Sequence, residues 1–89
     1  MGNFTGGSAY AMVQQIAEGY LLVTERSLQR LTAGELDRLG FELEKLLREV
    51  RGAPPPLEDL QAMQKRSRKI QRLNTCRRVL STYRQRRRT

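Results

Sequence analysis

The sequence predicts an all-α protein: a three-helix bundle, or a helical hairpin with a first amphipathic helix packed across it, ending in a long basic helix. Three observations carry this. Apolar residues recur at helical rather than alternating spacing through three segments. A capping box at Thr32 and the run Pro54-Pro55-Pro56 punctuate those segments. The one stretch with strand character, Tyr20 to Thr24, has no second strand to pair with.

In the first segment Ala9, Met12, Val13, Ile16, Tyr20 and Val23 fall within a stripe of about 100°, which predicts an amphipathic helix from about residue 9 to 29. Gly19 opposes this by ~1 kcal/mol, and a short strand over Tyr20–Thr24 is the alternative. Leu21 and Leu22 point away from the stripe, so they are expected to meet another neighbour. Residues 1–7 read as a flexible Gly-rich leader. Gly2 follows Met1 as N-myristoylation requires, but Gly6 stands where Ser or Thr is needed. Asn3-Phe4-Thr5 fits a glycosylation sequon, yet no signal peptide accompanies it.

The second helix, 33–51, has the clearest start. The Thr32 hydroxyl is placed to take a backbone N–H while Glu35 reaches back to the cap, and Leu31 and Leu36 can staple across it. Leu36, Leu39, Leu43, Leu46 and Val50 follow at spacings of 3, 4, 3 and 4, a heptad seam of about two repeats, widened by Leu47. Gly52 is placed as the C′ residue, and the prolines make 52–56 a stiff connector. Helices joined so closely lie antiparallel.

The third helix is predicted over 57–84, with Pro56 before it and Glu58 and Asp59 in its first turn, where the dipole favours acids. Its apolar residues (Leu57, Leu60, Met63, Ile70, Leu73, Cys76, Leu80, Tyr83) are mostly three apart, so the face drifts around the helix. At 1.5 Å per residue it spans about 40 Å and outruns its neighbours. Residues 8–84 then form one helical domain, and 85–89 a basic tail.

Charge is divided unevenly. Residues 1–59 hold six basic and all nine acidic side chains, net −3; residues 60–89 hold eleven basic and no acidic ones, net +11. Such asymmetry points to an anionic partner, to pairing between the halves, or to both. Glu35, Glu42 and Glu49 line one flank of the leucine seam. Lys65, Arg68, Lys69 and Arg72 line a flank of the third helix, and the two rows are expected to pair in part. That leaves Arg77, Arg78, Arg84, Arg86, Arg87 and Arg88 without an obvious partner. From Arg72 onward every cation is arginine, whose planar fork suits phosphate and carboxylate.

Catalysis has little support. The 89 residues include no histidine, so no Ser-His or Cys-His pair can form, and no Gly-rich phosphate loop is present. No cofactor or metal is expected. Cys76 is the one cysteine, which favours a reducing compartment, nucleus or cytoplasm. Arg77 and Arg78 are neighbours of the kind that lower a thiol pKa, but a small apolar filler is the reading adopted.

Phe41 lies about 140–200° from the leucine seam. The first helix is expected to cover it; the alternative is an exposed anchor for another chain, in a surface shared with Leu21, Leu22 and Leu28.

The sequence therefore reads as a non-catalytic interaction module, an adaptor or small subunit. A protein partner or second copy would meet the leucine face and Phe41, and the basic helix would meet an anionic surface. The alternative is an RNA- or DNA-binding protein using the arginine-rich third helix. Against single strands, only Tyr83 lies among the cations. Against helix-loop-helix DNA readers, the basic region follows the paired helices instead of preceding them. Anchoring to an anionic membrane by an acylated Gly2 and the tail is the least favoured reading.

Overall fold

The computed structural model describes residues 7–88, the side chains of 87 and 88 excepted. The acylation and sequon questions at Gly2 and Asn3, most of the predicted leader, and the side chains of Arg87, Arg88 and Thr89 lie outside the described residues. Among those described there are four helices and no strand.

Helix α1 (Ala9–Ala17) starts at Ser8, whose Oγ accepts from the Ala11 N–H at 3.1 Å. Ala9, Met12, Val13 and Ile16 are buried as the stripe predicts, Ala17 is buried beside them, and Tyr20, counted in the stripe, is exposed. The helix does not continue to residue 29. Gly19 adopts φ +84°, its N–H bonds to the Ile16 carbonyl at 3.1 Å, and the Tyr20 N–H bonds to Gln15 at 2.9 Å. That is a Schellman stop, with Gly19 as the left-handed C′ residue.

Residues 21–24 are neither helix nor strand, which removes both readings of this stretch. Val23 is buried there, Leu21 packs partly against the core, and Leu22 is 76% exposed. Thr24 then caps the short α2 (Glu25–Gln29), which buries Leu28 completely.

Helix α3 (Ala33–Gly52) carries the predicted capping box. The Glu35 N–H donates to Thr32 Oγ1 at 3.2 Å and the Thr32 N–H donates to Glu35 Oε1 at 2.8 Å. Leu31 and Leu36 are both buried behind it. Gly52 is the last helical residue with no positive φ, not the C′ residue, and the cap is Ala53 at φ −127°.

Helix α4 (Leu60–Arg88) begins three residues later than predicted. Asp59 is not in its first turn but caps it, Oδ1 accepting from the Ala62 N–H at 3.0 Å. At the other end helix persists to Arg88, so residues 85–88 are helix and not a separate tail. Its 29 residues account for the 47 Å long axis of the molecule.

Helices α1, α3 and α4 pack against one another and α2 packs on α4. One core joins Met12, Val13 and Ile16 of α1, Leu28 of α2, Leu36, Leu39, Leu43 and Leu47 of α3, and Leu73, Cys76 and Leu80 of α4. Both sequence architectures are thus partly realised: a hairpin of α3 and α4, with a first helix closing one side into a three-helix packing.

Candidate interaction site

Helix α4 supplies the cations, and most of those described are already engaged within the chain. The Arg66 guanidinium donates to the Val50 and Arg51 carbonyls, both at 3.1 Å, covering the C-terminal end of α3. Arg72 donates to the Ala17 carbonyl at 3.1 Å and covers the end of α1 in the same way. A cation at the negative pole of a helix is favourable in both places. Lys69 pairs with Glu18 at 3.1 Å and Arg77 with Glu44 at 3.2 Å. Arg84 pairs with Asp37, and Arg86 with Glu25.

Charge pairing between the two halves of the chain therefore occurs, but with acids other than those expected. Glu35 is in the capping box, and Glu42 sits 4.0 Å from Arg38 on its own helix. Glu42 and Glu49 line a small cleft with Tyr10, Val13 and Gln14, so this flank of α3 faces α1. The acids facing α4 are Asp37 and Glu44, on the other side of the seam. They too are seven residues apart, a spacing visible in the sequence. Arg77, Arg84 and Arg86, expected to lack a partner, each have one. Lys65, Arg68 and Arg78 have no acidic partner among the described residues.

The predicted leucine face is mostly consumed by folding. Leu36, Leu39 and Leu43 are buried, and Leu46 and Val50 are half-buried against the same core. None of the five is the open surface that a partner would need. Leu28 is buried as well, which removes it from the surface proposed around Phe41.

Phe41 departs from the expectation that the first helix covers it. It remains 54% exposed, with the Arg38 guanidinium 5.9 Å above its ring. It lines a groove between α3 and α4, whereas the cleft that α1 lines with α3 contains other α3 residues. The groove has a volume of about 1100 Å³. Leu43 and Leu80 lie buried beneath it, and Gly40 leaves room beside Leu80. Arg48, Arg51, Arg77, Arg78 and Arg84 line it against only two carboxylates, Asp37 and Glu44. Leu21 and Leu22 do not line it. The sequence reading missed Arg48, Arg51 and Arg66, because a cation on a half-buried flank looks like any solvated one until the partner helix is placed.

Cys76 is buried in the core, and loss of solvation raises its thiol pKa from 9.0 to about 12. Burial outweighs Arg77 and Arg78, which are exposed. The filler reading of this residue holds.

Compared with family models, with curated proteins and with solved structures, the chain matches none. No described helix is long and apolar enough to cross a membrane. Among the described residues no group of His, Cys, Asp and Glu side chains could hold a metal ion.

Proposed function

We propose that this chain is a non-catalytic interaction module, an adaptor or small subunit, that receives an acidic amphipathic helix of a partner protein in the α3–α4 groove. One observation carries the reading: an exposed aromatic ring and an excess of arginine meet in one open groove. A large ring held over by a cation is the kind of anchor that dominates interfaces, with rim charges setting orientation. Asp37 and Glu44 hold Arg84 and Arg77 in place on the free surface. A partner carboxylate would compete for the same guanidinium forks. The nucleus or the cytoplasm suits a chain with one buried thiol.

The test is isolation of the tagged protein from its host, half of it treated with nuclease, followed by mass spectrometry of what co-elutes. The reading expects a defined protein at fixed stoichiometry in both halves, lost on Phe41→Ser while circular dichroism stays unchanged. A second copy of the chain as that partner would make the module a homo-oligomer. Partners lost with nuclease, or retained by Phe41→Ser, would refute it.

A further inference from the structure

The solvent face of α4 carries an ordered pattern that meets the groove only at its C-terminal end, through Arg78, Thr82 and Gln85. Gln61, Gln64, Arg68, Gln71, Thr75, Arg78, Thr82 and Gln85 succeed one another at spacings of 3 and 4, and every one is exposed. At 1.5 Å per residue this row is about 36 Å long. It contains amides, hydroxyls and arginines, with no acid and no apolar side chain. Lys65 lies beside it. The exposed face of α3 differs, mixing acids (Asp37, Glu44, Glu49) with cations (Arg38, Lys45, Arg48) around Phe41.

From this we infer a second binding surface: the exposed row of α4 docks in the major groove of duplex DNA. Complementarity of charge and of hydrogen bonding both favour that occupant. Arg68 and Arg78 lie on the row, Lys65 flanks it, and none of the three has an acidic partner among the described residues. Of the acids on the other helices and their caps, Glu18, Glu25, Asp37 and Glu44 are each held by another α4 cation, and Glu58 and Asp59 stand only at the N-terminal end of α4, where Asp59 caps it. Arginine and glutamine are the side chains that bond base edges bidentately, and threonine and glutamine also contact phosphates. A major groove about 12 Å wide admits an α-helix.

Other nucleic acids fit less well. The deep, narrow major groove of A-form RNA does not admit a helix. Single strands need aromatic platforms, and Tyr83, the aromatic residue of α4, packs against the core.

The experiment measures anisotropy of a fluorescein-labelled DNA duplex of about two helical turns with the full chain. Three phosphate contacts give a slope of about −2.7 in log K against log salt, hence about 40-fold weaker binding at 200 than at 50 mM. Arg68→Gln with Arg78→Gln is expected to lower affinity about tenfold at 50 mM and to cut the slope by about two. The matched double variant Arg26→Gln with Arg30→Gln, on α2 and at its C-cap, should leave both nearly unchanged, with circular dichroism confirming both folds. Equal losses from the two double variants would reduce the effect to net charge and overturn the assignment. So would tighter binding of the single strand than of the duplex, no duplex binding at 50 mM, or an acidic helical peptide protecting the row where DNA does not. Arg78, Thr82 and Gln85 also line the groove, whereas Arg68 does not, so Arg68→Gln alone should weaken duplex binding and leave capture of the protein partner intact, which keeps the two readings distinguishable.

Discussion

Arg72 donates to the carbonyl of Ala17, 55 residues away in sequence, at 3.1 Å. The same guanidinium lies over Gly19, where an added Cβ would come within 2.8 Å of Arg72 Cζ. One arginine of α4 thus holds the stop signal of α1, and Gly19 meets two demands at once: a positive φ and room for the guanidinium.

Gly19→Ala is therefore expected to destabilise by about 1–2 kcal/mol from the left-handed backbone alone, with a further loss as Arg72 is displaced. Arg72→Gln should cost about 1 kcal/mol, since the interaction is near the surface. A double-mutant cycle in urea should give non-additive losses. Additive ones would mean that the two residues act separately.

Arg66 does for α3 what Arg72 does for α1, reaching two carbonyls at once. Lysine has no planar fork, so Arg66→Lys should behave almost like Arg66→Ala, each losing about 1–2 kcal/mol. Recovery of most of the stability by lysine would show that charge near the helix end matters more than the paired hydrogen bonds.

Gly40 offers a gain. It lies inside α3, where glycine costs up to about 1 kcal/mol relative to alanine. A Cβ there would meet Leu80 Cδ2 at 3.5 Å, an ordinary contact. Gly40→Ala should raise Tm by about 3–6 °C. A lowered Tm would mean that the α3–α4 approach is tighter than these distances indicate.

The buried thiol predicts a pH dependence. The unfolded chain loses the Cys76 proton near 9.0, whereas the folded chain retains it to about 12. The unfolded state therefore binds fewer protons between those values, and stability falls as pH rises through that window, being fully present below it. Cys76→Ala should flatten the decline relative to the parent protein, after allowance for the smaller side chain. A thiol reagent at pH 8 should label Cys76 only as the protein unfolds.

The ion pairs between the chain halves are exposed, so Asp37→Asn and Glu44→Gln should each cost less than about 1 kcal/mol, the difference shrinking in high salt. Glu49→Gln, on the flank facing α1, should change little. Urea midpoints at two salt concentrations decide this. An equal salt-sensitive loss at Glu49 would mean that general charge balance, not pairing, is at work.

Local signals explain what the sequence by itself determined. The all-helical class, the capping box at Thr32, the inward face of Leu36, Leu39 and Leu43, and the buried nature of Cys76 follow from periodicity and cap chemistry. These forces act within a turn or two of chain. The stop at Gly19 was equally local, but Tyr20 and Val23 prolong the α1 stripe and masked it; Gly52, in the same role on paper, remained helical. Tertiary structure alone decided which flank of α3 meets α4. A shift of one row around the helix replaces Glu42 and Glu49 with Asp37 and Glu44, and a one-dimensional pattern does not specify that rotation. The same rotation leaves Phe41 outside the cover of α1. It engages Arg77 and Arg84 internally and leaves the Arg68–Arg78 row facing solvent. Charge composition placed the cations on one helix; three-dimensional packing determined which of them remain available to another molecule.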